Sequence, residues 1–152
     1  MQLMETPDQR LSALLARLRA HGHRLTPQRV AILRALVHDA NHPNVESLHQ
    51  HILAEFPTTS LATVYKTIAL LKEYGEVLEL GFGELGSRYD GRRPAPHPHL
   101  ICTRCGAIRD PDPSGDAELL ALVERLAGQT GFAVQSHRLD LFGLCPACRA
   151  SA

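Results

Sequence analysis

No tryptophan occurs in this chain, and aromatic residues make up only 5% of it. A stacking platform for single-stranded nucleic acid needs several exposed rings, so that class of function is set aside. No apolar run approaches the roughly 18–20 residues of a membrane helix. The opening residues, MQLMETPDQR, carry acids and lack an apolar signal core. A cytoplasmic protein without membrane association is therefore expected. Net charge is missing too, because sixteen basic side chains are balanced by sixteen acidic ones. That neutrality argues against an unstructured polyanion-binding tail, but it leaves local basic patches open. Finally, there is no strand-end nucleophile, Gly-rich phosphate loop or paired acid/base motif, so no enzyme is expected.

What remains is a globular chain of 152 residues, 44% hydrophobic and 21% charged, long enough for one ordinary domain or two small ones. Charge is segregated: Arg10 to Arg34 holds six arginines and no acid. Histidine is abundant, with nine, whereas cysteine is limited to four.

Those four fall in two pairs, Cys102-Thr-Arg-Cys105-Gly106 and Cys145-Pro-Ala-Cys148. Thiols at i,i+3 on a turn converge on one ion, and two such turns complete a tetrahedral four-sulfur zinc site. The alternative is two disulfides, or unrelated buried thiols. The missing export signal points to a reducing compartment, which favours zinc. Four thiolates leave no open coordination position, so the zinc would be structural.

Helical spacing of Leu11, Leu14, Leu15 and Leu18 predicts a first helix over 8–21, with arginines on the opposite side. Thr26-Pro27 reads as an N-cap with Pro at the first helical position, and Val30, Leu33, Leu36 and Val37 form the stripe that follows. Asn41 to Asn44 is a turn. A third helix buries Val45, Leu48 and Ile52 and ends at Phe56-Pro57. Ser60 caps a fourth helix that runs to Gly75, with Leu61, Val64, Ile68 and Leu71 inward. Val77–Leu80 and Ser87–Tyr89 read as strands around a Gly-rich turn. This order is that of a winged helix-turn-helix. Residues 91–96 read as a linker. Beyond it, strand character from His99 to Arg109, an amphipathic helix over 116–127 and an alternating strand from Phe132 to Leu144 make a small α+β unit. The expected division is 1–90, 91–96 and 97–152, in an α+β protein.

The exposed side of the fourth helix would carry Thr63, Tyr65, Lys66 and Thr67, short and long polar groups suited to a major groove. Arg24 could reach phosphate or a minor groove, while Gln28, Arg29 and Ser60 are candidate backbone contacts. With so few basic groups per chain, affinity would depend on dimerisation. A solvated helix face is the plain alternative.

Around the linker stand Asp90, His97, His99 and Asp110. His97 and His99, at i,i+2 on an extended strand, would face one side. Imidazole plus carboxylate suits Fe(II), Mn(II) or Zn(II), and sets of more than four N/O ligands favour Fe or Mn. If His42 joined them, one ion would clamp two domains and set DNA affinity. His-Pro-His on a surface loop is the plain alternative.

Together, Arg24-Leu-Thr-Pro-Gln-Arg29, Leu61-Ala-Thr-Val-Tyr65, His97-x-His99-Leu-Ile-Cys102-x-x-Cys105-Gly106 and His137 through Cys145-x-x-Cys148 resemble the ferric uptake regulator (Fur) family of metal-responsive repressors, over about residues 10–149. The resemblance implies an N-terminal winged-helix DNA-binding domain, a hinge, and a C-terminal α/β dimerisation domain whose strands pair across a twofold axis. It also implies a homodimer, AT-rich palindromic operators in double-stranded DNA, and repression when metal is bound. By resemblance the regulatory Fe(II) or Mn(II) falls on His42, Asp90, His97, His99 and Asp110. The structural zinc falls on Cys102, Cys105, Cys145 and Cys148, with Tyr65 as base contact and Arg24 as minor-groove contact. Asp rather than Glu at 90 and 110 is similar to the peroxide-sensing PerR branch, in which a ligand histidine is oxidised to 2-oxo-histidine; the matching positions are His42 and His97. The alternative is an iron- or manganese-sensing repressor without peroxide sensing. Two departures bear on this. The loop from Asp90 to His97 is one residue longer than in the peroxide sensor, and Pro96 and Pro98 stand where an additional regulatory site would need ligands. That extra site is expected to be absent or weak even though His137 remains.

Overall fold

The computed structural model describes residues 5–81 and 86–151 of the chain, which forms two units, one ending at Pro94 and the other beginning at Ala95. In the first unit, α1 (Pro7–Ala20) starts on a capping box between Thr6 and Gln9. The helix α2 (Pro27–His38) starts on Thr26, whose hydroxyl accepts from the Arg29 N–H. The helix α3 (Val45–Leu53) starts on Asn44 and α4 (Leu61–Glu73) on Ser60. Each cap satisfies a backbone donor that the helix cannot satisfy itself, which is why these starts are sharp. Leu14, Leu18, Ile32, Leu33, Leu36, Val37, Leu48, Ile52, Val64 and Leu71 are all buried in one core. Each such leucine or isoleucine stabilises the unit by about 1.5–3 kcal/mol relative to leaving it in water.

Two expectations are corrected in this unit. Leu61 is 37% exposed, whereas Thr67, expected outward, is buried and donates to the Thr63 carbonyl at 2.9 Å. The helical pattern i, i+3, i+4, i+7 runs through Val64, Thr67, Ile68 and Leu71, so Leu61 belongs to the turn before the core begins. The arginines of α1 are not all opposite its leucines either. Arg10 is buried, bonding the Glu76 carboxylate at 2.9 Å, the Glu76 carbonyl at 2.8 Å and the Gly91 carbonyl at 2.9 Å. Arg17 meets the other Glu76 oxygen at 2.5 Å. Burial opposes the charge on Glu76, but the hydrogen bonds from Arg17 and Arg10 outweigh it and hold the carboxyl below its ordinary value.

A hairpin completes the unit: β1 (Leu78–Gly81) pairs antiparallel with β2 (Ser87–Asp90), placing Leu78 opposite Asp90. The Gly-rich turn between them, at 82–85, lies outside the described residues. Gly91 then packs where a side chain could not fit, since a Cβ there would lie 2.6 Å from Leu36 Cγ. This first linker residue is therefore fixed on α2.

The second unit is a three-stranded sheet ordered β4-β3-β5, from β3 (His99–Cys102), β4 (Ile108–Arg109) and β5 (Asp140–Gly143). The strand β4 runs antiparallel and β5 parallel to β3. The expected stretch from His99 to Arg109 is thus two short strands, interrupted by the first cysteine turn. A single helical turn at Pro113–Gly115 leads into α5 (Asp116–Thr130), and α6 (Pro146–Ala150) follows β5. The long strand expected from Phe132 to Leu144 is corrected. Only Asp140–Gly143 is strand, because a strand needs a continuous ladder with a neighbouring backbone; just before it the Leu139 carbonyl accepts from the His99 N–H, and residues 132–138 form no such ladder.

Candidate metal centres

Cys102 ends β3 and Cys105 follows on a turn closed by the Gly106 N–H, which bonds the Cys102 carbonyl at 3.0 Å; Gly106 takes φ 71°, a left-handed conformation glycine adopts without strain. Cys145 caps α6 and Cys148 lies one turn on, its N–H directed at Cys145 Sγ at 3.5 Å. All four thiols are free of disulfides, and their sulfurs lie within 4.8 Å of one another. Ligands about 2.3 Å from a tetrahedral zinc stand about 3.8 Å apart along an edge. Cys105 Sγ and Cys145 Sγ are 3.8 Å apart, far beyond a disulfide bond. Backbone N–H groups, that of Cys105 foremost, hold the Cys102 thiol down at about 5. A hydrogen bond with the Cys145 sulfur, followed by burial, pushes the Cys148 thiol up to about 12. Four thiolates in this space need a divalent cation to coexist, so the set fits zinc.

In the N-terminal unit, His42 and Asp90 are brought together by β2. The Arg88 guanidinium donates to the carbonyls of Asn41 and His42, and the Tyr89 N–H donates to Pro43 at 3.0 Å. These bonds hold the 41–43 turn against the strand end that carries Asp90. His42 has φ 54°, among the described residues the one non-glycine in the left-handed region. That conformation is uphill for a side-chain-bearing residue and persists where surroundings over-determine it. Asp90 Oδ1 accepts the N–H groups of Arg92 and Arg93 at 2.8 and 2.9 Å, and Oδ2 faces His42 Nε2 at 3.8 Å. Both residues are buried.

In the C-terminal unit, His97, His99 and Asp110 converge. His97 and His99 share a side, their rings 4.4 Å apart. His97 Nε2 lies 3.2 Å from Asp110 Oδ2, and His99 Nε2 lies 3.6 Å from Asp110 Oδ1. Register explains this: Leu100 pairs with Arg109 and Ile101 with Ile108, so one step further brings Asp110 opposite His99. Two buried imidazoles and a carboxylate are the donor types that hold Fe(II) or Mn(II), and they fit such an ion. His137 joins neither cluster among the described residues.

The candidate DNA contacts lie on the first unit. His49 bonds the Thr59 carbonyl at 2.7 Å, tying α3 to the loop before α4. Tyr65 is 48% exposed, its hydroxyl 3.3 Å from Glu46, and Lys66 is exposed beside it. Ser60 and Thr63 share a 3.0 Å bond at the cap of α4. Arg24 is exposed, and its carbonyl accepts from Arg29 at 2.7 Å; Gln28 is half-buried.

Two features escaped the sequence reading, the Arg10–Glu76 pair and Asp140. The Arg10–Glu76 contact, between residues 66 apart, leaves no periodic trace. Asp140 does leave one, as a lone carboxylate within Leu139-Asp140-Leu141-Phe142.

The ferric uptake regulator family model matches residues 20–142, and the chain belongs to that family. It is 38% identical over 147 residues to the peroxide-responsive repressor PerR of Staphylococcus epidermidis, covering 96% of this chain and 95% of that protein. Among solved structures, it matches the Campylobacter jejuni peroxide stress regulator with TM-score 0.70 and 35% identity, over 89% of this chain and 98% of that one. It also matches the Helicobacter pylori ferric uptake regulator, a protein with three functional metal binding sites, with TM-score 0.76 over 98% and 97% of the two chains; at 24% identity that likeness speaks for the fold. No helix among the described residues is long and apolar enough to cross a membrane.

Proposed function

We propose that the protein is a dimeric, metal-dependent repressor that binds AT-rich palindromic DNA and loses its grip when peroxide oxidises a metal-ligating histidine. The observation that carries this reading is the sorting of donors into two chemistries. Sulfur alone gathers at Cys102, Cys105, Cys145 and Cys148, while imidazole and carboxylate gather at His42–Asp90 and at His97–His99–Asp110. Neither imidazole–carboxylate group is a complete cage by itself. One ion shared by all five side chains would couple the DNA-binding unit to the dimerisation unit, and its occupancy would select the DNA-competent conformation. Ferrous iron, when held by these residues, would supply the reducing equivalents that activate peroxide. His42 and His97 carry the imidazoles that would take up oxygen, and Asp90 and Asp110 are the short carboxylates that would hold the ion beside them. Arg24, Gln28, Arg29, Ser60, Thr63, Tyr65 and Lys66 make the DNA contacts. No substrate turnover is part of this function, and the protein works in the cytoplasm.

A second copy of the chain is supported by the apolar face of the C-terminal unit, where Phe132 is 74% exposed and α5 has no buried residue. The stretch 132–138, which forms no strand within this chain, would offer backbone to a partner's strand.

The test is peptide mass spectrometry of Fe(II)- and Mn(II)-loaded protein after a low dose of peroxide, alongside operator binding. One added oxygen on the peptide holding His42 or His97, with Fe(II) alone, is expected together with release of DNA. No histidine oxidation with either metal would make this a plain iron- or manganese-sensing repressor. A His97→Ala protein that still requires metal for operator binding would overturn the ligand assignment.

A further inference from the structure

His99 lies between two carboxylates. On one side its Nε2 faces Asp110 at 3.6 Å; on the other its Nδ1 faces Asp140 Oδ1, also at 3.6 Å. The sheet register produces the arrangement. His99 is the Cα partner of Asp140 in the parallel β3–β5 pair, and Asp110 follows opposite it on the β4 side, so Asp110, His99 and Asp140 form one row across three strands. The row is anchored through the backbone as well, since the His99 N–H donates to the Leu139 carbonyl at 3.0 Å. Asp140 is itself held, because the Arg138 guanidinium bonds its Oδ2 and leaves Oδ1 turned to the ring. His97 is arranged differently: its Nδ1 lies 2.8 Å from the neutral carbonyl of Ala95.

We propose that Asp140 is a positioning residue that fixes His99 as the Nδ1–H tautomer and thereby presents Nε2 to the metal. This deepens the function proposed above and rests on it. A ring nitrogen that carries a proton cannot ligate, so the residue that claims the Nδ1 proton decides which nitrogen is available. A carboxylate behind the ring also raises its basicity as a ligand, which a backbone carbonyl does less strongly. The two histidines are therefore unequal: His99 is the fixed, anion-backed donor, and His97 is the donor backed by a neutral group.

The experiment has two arms, both on full-length zinc-loaded protein. In the first, histidine is labelled with 15N, no Mn(II) is added, and the tautomer of His99 is read from two-bond 15N–1H correlations, assigned with a His99→Gln variant. Wild type is expected to show protonated Nδ1 and bare Nε2. An Asp140→Leu variant is expected to lose that preference, and Asp140→Asn, whose amide oxygen can still accept the Nδ1–H hydrogen bond, to restore it. In the second arm Mn(II) is titrated into each. Asp140→Leu is expected to bind about 10- to 100-fold more weakly, the usual range for losing an outer-shell partner. Asp140→Asn should fall between it and wild type. Zinc content and circular dichroism confirm the fold. A bare Nδ1 in wild type, an unchanged tautomer in Asp140→Leu, or equal Mn(II) affinity in all three would overturn the proposal. Failure of wild type to bind Mn(II) would overturn the metal reading beneath it, and is distinguishable because the tautomer is read without Mn(II).

Discussion

Helices α4 and α5 have similar lengths and comparable stocks of leucine, yet their apolar faces meet opposite fates. On α4, Val64, Ile68 and Leu71 are buried among residues of α2 and α3. On α5, Leu120 is 53% and Leu126 51% exposed, and no residue is buried. The difference separates two ways of stabilising a small unit. The N-terminal unit closes a core of its own from four capped helices and a hairpin. The C-terminal unit has a short three-stranded sheet that leaves Leu120, Leu126, Phe132 and Phe142 exposed, so it relies on a metal cross-link and, in the reading proposed here, on a second chain.

Removing zinc, with a strong chelator or a Cys102→Ser substitution, should have the largest effect. Structural zinc contributes on the order of 10 kcal/mol in small domains. The C-terminal unit should lose its sheet while the N-terminal helices persist. Amide-resolved NMR would check this, and uniform loss of signals from both units would contradict the contrast drawn above. Next, Leu33→Ala should cost the N-terminal unit about 2–5 kcal/mol by leaving a cavity, seen as a lower denaturation midpoint, with zinc content unchanged. A Phe132→Asp change should act in the opposite way, raising the dimer dissociation constant in sedimentation while the melting of the N-terminal unit stays put; an unaltered dimer would place the interface elsewhere.

The smallest effect concerns Glu76. Its folded carboxyl lies below the ordinary 4.5, so the stabilisation from Arg10 and Arg17 is present above that value and lost as pH falls through the folded one. Glu76→Gln should flatten the acid limb of the N-terminal unit's stability curve below about pH 4.5, at the cost of a modestly lower melting temperature at neutral pH. An acid limb identical to that of wild type would show that the pair contributes nothing measurable.

Much of this was legible from local signals. Thr26-Pro27 and Ser60 marked the starts of α2 and α4 because capping depends on residues three positions apart. The two C-x-x-C pairs specified the sulfur set for the same reason, since a turn brings its own thiols together. What escaped depended on partners distant in sequence. Arg10 looked like a surface arginine because its partner, Glu76, belongs to a different element. The stretch 132–138 alternates like a strand, but alternation describes side chains and a strand also requires a backbone to pair with. Among the proposed regulatory ligands, the spacing of His97 and His99 was visible and Asp110 stood out as a candidate beside them, whereas the place of Asp140 depends on which residue the β3–β5 register sets opposite His99.

One consequence follows from β3, whose four residues carry His99 at one end and Cys102 at the other. A chain still being synthesised, and emerged only as far as α5, already displays both, together with Cys105 and Asp110. It lacks β5, hence Asp140 behind His99, and it lacks Cys145 and Cys148. In the reading proposed above, both metal centres are therefore completed late, as β5 docks alongside β3 and α6 brings up Cys145 and Cys148. An unfinished polypeptide could then neither hold its zinc with four sulfurs nor present the backed imidazole, so on that reading translation itself delays metal sensing until β5 and α6 have been made.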